Sequence, residues 1–243
     1  MKLRAFATRT FKEIIRDPLT LFFGLGFPGV LILLLTAIQA NIPVSLFELN
    51  RLIPGMTIFG LSFMTLFSAS LIAKDRESSF LLRLYASPMR AVDFILGYTL
   101  PLLPIALVQS LFCFLIGYLL GMTPCITFLY ALLLILPIAL FFIGLGLLFG
   151  IMLTQKQVGG ICGALLTNLV AYLSGIWFDL ELVGGVFQKL AHLLPFYHAV
   201  QIEQLAVAGE FSQILPHLPW VLGYAVFVVF VSVWFFIKQS RKG

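Results

Sequence analysis

Residues 126–153 read ITFLYALLLILPIALFFIGLGLLFGIML, without one Asp, Glu, Lys or Arg. A helix needs about 20 mostly apolar residues to cross the hydrocarbon of a bilayer, and this run exceeds that. The whole chain is of the same kind. Of its 243 residues 61% are hydrophobic and 10% charged, with a mean hydropathy of +1.08. Soluble domains are about half apolar and about a quarter charged, because their exterior must be covered with polar groups. Lipid is the solvent this composition fits.

Working outward, five more runs have the length and character of membrane spans: Leu21 to Ala40, Leu52 to Ala73, Phe94 to Leu120, Val158 to Phe178 and Leu218 to Ile237. The predicted fold is an all-α membrane protein, a single transmembrane domain over residues 1–243 with six transmembrane helices. Basic residues orient it. With both ends cytoplasmic, the inner side holds Lys2, Arg4, Arg9, Lys12, Arg16, Lys74, Arg76, Arg83, Arg90, Lys156, Lys238, Arg241 and Lys242; only Arg51 and Lys189 fall outside. The opposite orientation inverts this asymmetry and breaks the positive-inside rule. The net charge of +5 sits at the ends of apolar runs, so it does not point to nucleic acid. The spread of Lys2, Arg4, Arg9, Lys12 and Arg16 through the first segment also argues against a secretory signal.

Three segments are neither spans nor simple turns. In residues 1–18, Leu3, Phe6, Ala7, Thr10, Phe11 and Ile14 share one helical face, and Lys2, Arg9, Lys12, Glu13 and Arg16 the other. This predicts a basic amphipathic helix in the membrane interface, ended at Asp17-Pro18. A groove on a soluble partner is its alternative seat. Residues 74–90, KDRESSFLLRLYASPMR, are the most charged stretch. They read as a short cytoplasmic amphipathic helix, suited to docking on a soluble protein or to resting on headgroups. Residues 179–216 lie outside. They are too polar to span, yet Val183, Val186, Phe187, Leu190 and Leu194 have helical spacing up to Pro195. They read as re-entrant helices, or as an ordered cap, since irregular backbone enters a membrane only where protein or water satisfies it.

No phosphate-binding loop of the form GxxxxGK[ST] occurs, nor HExxH, nor GxSxG, so no ATP hydrolysis by this chain is expected. Cys113, Cys125 and Cys162 lie far apart, and His192, His198 and His217 are irregularly spaced. Neither set predicts a metal site. The spans hold almost no ionisable groups, which argues against an ion-coupled pump. Gly146 with Gly150, and Gly159 with Gly163, permit close helix approach, either within the chain or at a dimer seam.

These pieces converge on a resemblance. FKEIIRDP precedes the first span, AKDRESSFLLRLYASPMRAVDFILGYTLPLLP follows the second, and LSGIWF then LLPFYHAVQ follow the fifth. The chain resembles the type-2 permease subunits of ATP-binding-cassette (ABC) exporters over essentially its whole length. The resemblance implies six spans per subunit and a translocation path formed by two subunits, identical or paired. It also implies separate nucleotide-binding subunits that use ATP and magnesium, with no cofactor in this chain. It assigns ATPase coupling to Asp75, Arg76, Glu77, Phe80, Leu81, Arg83, Leu84 and Tyr85, with a smaller contact at Gln155 and Lys156. It makes Phe6, Phe11, Ile14 and Arg16 part of a connecting helix. It places Phe178, Asp179, Phe187, Pro195, Phe196 and Tyr197 at an outer gate. Two departures stand out: Asp179 and Gly184-Gly185 occupy positions where many members carry proline, and the loop from Asn41 to Arg51 is too short for an external domain.

The function so implied is export across a bacterial cytoplasmic membrane, with both termini inside. The small permease, apolar spans and short outer loop favour a drug, antibiotic, peptide or other amphipathic cargo. Polysaccharide or lipid-linked glycan export is the alternative, and an ion-coupled secondary transporter a more distant one. The partners expected are nucleotide-binding subunits, a second permease subunit and membrane lipid, with no nucleic acid.

Overall fold

A computed structural model of the chain describes residues 2–78, 80, 91–123 and 126–240, and every regular element among them is helical. Helix α1 spans Lys2–Ile15. The residue before a proline is pushed out of the helical region; Asp17 accordingly has φ −96° and ψ 101°. Its carboxylate then caps the next helix, accepting from the backbone N–H of Leu19 at 3.1 Å and of Thr20 at 3.4 Å. That helix, α2, is Pro18–Gln39, with π-type turns at Phe22–Gly26.

Helices α3 (Leu49–Glu77), α4 (Ala91–Leu119) and α5 (Thr127–Met152) follow. After the helical turns at 155–173, here α6, come the short α7 (Leu180–Val183), α8 (Gly185–Leu193), α9 (Pro195–Ala208) and α10 (Phe211–Ile214). The long α11 is Leu218–Ser240. Among the described residues five stretches are long and apolar enough to cross a membrane: Pro18–Gln39, Leu49–Glu77, Val92–Leu119, Thr127–Met152 and Phe211–Lys238.

Helix α3 is central, with 83% of its apolar window buried inside the protein. Lipid offers no hydrophobic drive between helices, so close packing and interhelical hydrogen bonds must hold them. Both occur against α5. Thr65 Oγ1 donates to the Phe142 carbonyl at 2.8 Å, and Ser68 Oγ to that of Ile143 at 3.2 Å. A methyl group on Gly146 would strike Ser68 Oγ and the Thr65 carbonyl, and one on Gly150 would lie 2.8 Å from the Ala69 carbonyl oxygen. Gly146 and Gly150 therefore serve packing within the chain. Gly159 faces open space, and Gly163 meets only Leu66.

The fifth apolar run differs from its sequence reading. Its helical turns occupy 155–173 rather than Val158 to Phe178, and they are α (Gln155–Val158), π (Gly159–Leu166) and α again (Thr167–Leu173). Three glycines in GGICGALL weaken the regular ladder, and the segment is not among the five long apolar helices. It nevertheless runs the length of α3: Gln155 meets Glu77, Gly163 meets Leu66, and Ile176 meets Gly55. The two ends of the chain lie at one end of the bundle. Phe6 packs on Tyr98 at 4.9 Å, Phe94 on Tyr98 at 4.9 Å, and Phe236 stacks on Phe94 at 3.9 Å.

The segment after the second run also needs correcting. Lys74, Asp75, Arg76 and Glu77 do not begin a separate helix; they form the last turn of α3. Basic residues suit the negative end of a helix dipole, and internal partners hold these four in place.

Candidate functional site

The last turn of α3 gathers four neighbouring elements at that end of the bundle. Asp75 is 1% exposed. A buried carboxylate is tolerable only when its lone pairs are filled, and here they are. Arg9 of α1 donates through Nη1 and Nη2 to Oδ2 and Oδ1, each at 2.6 Å, and Tyr98 of α4 donates its hydroxyl to Oδ2 at 2.6 Å. The two-pronged guanidinium–carboxylate pair is the strongest form of such a contact. That hydrogen bond, the largest effect on Arg9, pushes its guanidinium further up from its already high range.

Around this pair the charges interlock. Arg9 also meets Glu13 at 2.9 Å, Glu13 meets Lys74 at 2.7 Å, and the guanidinium lies 4.2 Å above the Phe80 ring. Arg76 donates to the carbonyls of Ile151 and Leu153, at and just past the end of α5. Those oxygens belong to the unsatisfied last turn of a helix. Glu77 Oε1 accepts from the backbone N–H of Gln155 at 2.9 Å, placing a negative charge at the start of α6 where the helix dipole favours it. Thr154 and Gln157 close the same turn as a reciprocal cap. One helix end thus holds α1, α4, α5 and α6 together.

The coupling residues expected from the sequence therefore fall into four groups. Asp75, Arg76 and Glu77 have internal partners, and Asp75 is enclosed. Gln155 and Lys156 are exposed on the turn that Glu77 caps. Phe80 packs on Phe6, with ring centroids 6.3 Å apart. Leu81, Arg83, Leu84 and Tyr85 lie outside the described residues. Of the connecting-helix residues, Phe6 and Ile14 are buried, whereas Phe11 and Arg16 are exposed. The Phe6 ring fills the space above Gly97, where a side chain could not fit. Phe11 departs from the apolar face: the buried stripe of α1 runs through Phe6, Thr10 and Ile14, and Phe11 lies beside it.

At the opposite end, Asp179 accepts from the Glu181 N–H at 3.1 Å and so starts α7. Gly184 and Gly185 follow at φ 62° and 61°, a conformation that favours glycine. Phe178 and Phe187 pack at 6.2 Å. Pro195 opens α9, the first-turn position proline favours, and Phe196 stacks on Phe142 of α5 at 6.1 Å. Tyr197 stacks on His192 at 4.3 Å.

Sequence spacing missed two features here. His198 Nε2 donates to the His192 carbonyl at 2.8 Å, leaving its Nδ1 to face Nδ1 of His217 at 2.8 Å. The His198 ring also stacks on Trp220 at 4.9 Å. Among the described residues no group of three or more His, Cys, Asp or Glu side chains could hold a metal ion. Second, Glu203 is fully buried, and neither carboxylate oxygen has a hydrogen-bond partner among the described residues. Burial pushes its carboxyl well above the usual range.

Over residues 1–204 the chain matches the family described as ABC-2 type transporter. The chain belongs to that family, the membrane permeases of ABC transporters. A comparison with curated proteins finds no match.

Proposed function

We propose that this chain is the membrane-spanning subunit of an ABC exporter, working as a dimer and driven by separate ATP-binding subunits that hydrolyse ATP with magnesium. The observation that carries this reading is the junction at the end of α3, on a chain of the ABC-2 family. A transporter that alternates between inward-open and outward-open states needs a stiff link between its energy source and its spans. Arg9, Asp75, Tyr98, Arg76 and Glu77 supply such a link. A push on the segment after Glu77 reaches α3 directly, α1 and α4 through Asp75, and α5 and α6 through Arg76 and Glu77.

In this reading the chain crosses the membrane six times, α6 included. Nineteen residues (155 to 173 inclusive) at about 1.5 Å each reach about 28 Å, close to the roughly 30 Å of hydrocarbon. Both termini are cytoplasmic, and residues 179–216 form a re-entrant outer gate in a bacterial cytoplasmic membrane. The cargo is a drug, antibiotic, peptide or other amphipathic compound. The test is transport and ATPase stimulation in vesicles holding the permease and its nucleotide-binding subunit. Glu77→Lys with Arg83→Glu is expected to uncouple hydrolysis from transport; unchanged assembly and transport would remove the coupling assignment.

A further inference from the structure

A cleft of about 1030 Å³ opens between α1, the start of α2, the inner half of α3 and the first turn of α6. Its walls differ in kind. One is a ridge along α1, where Arg4, Thr8, Lys12 and Arg16 recur every four residues. Residues four apart on a helix are neighbours, so the like charges of Lys12 and Arg16 repel. The other wall, from α3, is led by Phe67 and Leu71.

Most other charges in the cleft are spoken for. Arg9 is held by Asp75 and Glu13, and Lys74 by Glu13. The Asp17 carboxylate is engaged by Leu19 N–H, Thr20 N–H and the Thr20 hydroxyl. Arg4, Lys12 and Arg16 are exposed and have no carboxylate within ion-pair distance among the described residues. Three cations thus line one side of a cavity whose far side carries Phe67 and Leu71 beside Ser70 and Lys74.

We infer that this cleft binds the anionic headgroup of an amphiphile, a phosphate above all, with the ligand's apolar part along Phe67 and Leu71. Arginine matches phosphate oxygens with paired donors, and lysine adds a point charge. A bound anion relieves the repulsion along α1. The site lies at the end of the bundle that holds the basic residues, where anionic lipid headgroups and the headgroup of an inner-leaflet cargo share this chemistry. The site does not depend on an ATPase partner or on export, and it can be tested on the permease alone.

The experiment uses the full purified chain in dodecyl maltoside, with dodecyl phosphate as the probe and additional dodecyl maltoside as the uncharged control. Saturable binding of dodecyl phosphate is expected, weakened at least about tenfold, or about 1.4 kcal/mol, by Arg4→Gln, Lys12→Gln and Arg16→Gln together. A second variant, Arg4→Lys with Arg16→Lys, keeps the charge and is expected to restore most of the binding, which separates headgroup recognition from misfolding. Phosphorus-containing lipid that co-purifies with the natural chain, but not with the triple glutamine variant, marks the resident lipid as the source. Saturable binding without such lipid marks a transient ligand, as a cargo would be. Equal binding by the triple glutamine variant, or no binding above the uncharged control, would overturn the proposal. So would loss of an ATP-binding partner from the triple variant with dodecyl phosphate binding intact, which would make the ridge a protein contact.

Discussion

Arg9 and Asp75 stand 66 positions apart in the chain and meet through two parallel hydrogen bonds of 2.6 Å each. Removing one partner leaves the other charge without its mate in a buried place. Arg9→Gln or Asp75→Asn is expected to lower stability by about 3 kcal/mol, the lower end of the range for breaking a buried pair, because the Arg9 side chain is 36% exposed. Thermal unfolding in detergent measures this. The double variant is expected to lose much less than the sum of the two singles, and α1 is expected to become cleavable near Arg16 by trypsin. Additive losses would mean that the pair is not a unit.

Glycine positions separate packing within the chain from packing between chains. Gly146→Ala places a methyl group on Ser68 and Thr65 and is expected to cost about 1–3 kcal/mol of stability through overpacking. Gly97→Ala displaces the Phe6 ring and is expected to release α1, seen as faster hydrogen exchange over residues 2–15. A Cβ added at Gly159 meets nothing within 4 Å among the described residues, so Gly159→Leu is expected to leave folding unchanged. If it breaks a dimer in cross-linking, Gly159 lies on the seam.

The histidine pair gives the end of the bundle opposite the α3 junction a pH dependence. Burial holds His198 below the usual imidazole range, and the neighbouring charge of His192 acts the same way, while the hydrogen bond to the His192 carbonyl opposes them. The unfolded imidazole takes up its proton near about pH 6.5, and the folded one only lower. The stability linked to His198 is therefore complete above that value and falls as pH drops through the window beneath it. The groups around His198 are His192 of α8, Tyr197 of α9 and His217 before α11. Burial lowers His217 in the same way, so hydrogen exchange over residues 185–217 is expected to quicken from pH 7.5 to 5.5, a change that His198→Gln should reduce and His198→Gln with His217→Gln abolish.

Glu203 offers a stability gain. Replacing an unpartnered buried polar group by an apolar one of similar volume is neutral or stabilising. Glu203→Met is expected to raise the thermal midpoint, or leave it unchanged, in detergent at neutral pH. A clear loss of stability would mean that the carboxyl has a partner in the working transporter.

What the sequence made legible followed from local pattern. The uncharged stretch Ile126 to Leu153 and its four long companions needed only length and hydropathy, and their ends moved by no more than four residues except that the last apolar stretch begins at Phe211 rather than Leu218. The break at Asp17-Pro18 and the start of α9 at Pro195 needed only the chemistry of proline. The fifth run was less legible because its glycines shift it into π-type turns and its helix stops at Leu173. The junction was hidden for another reason. Asp75 looked like one charge in a solvated loop, and nothing near it in sequence announced Arg9 or Tyr98, which only the packing of α1 and α4 on α3 delivers. His198 and His217 looked irregular for the same reason, being 19 positions apart and joined across α9 and α11.

The central claim is that ATP hydrolysed by a partner drives this permease. The most direct measurement is ATP hydrolysis and cargo movement in vesicles by the complex that co-purifies with the tagged chain from its native membrane. The expected result is a nucleotide-binding subunit in fixed proportion to the permease, with vanadate-sensitive hydrolysis and cargo movement that stops without ATP. Cargo movement that persists without any ATPase subunit and follows an imposed ion gradient would contradict it.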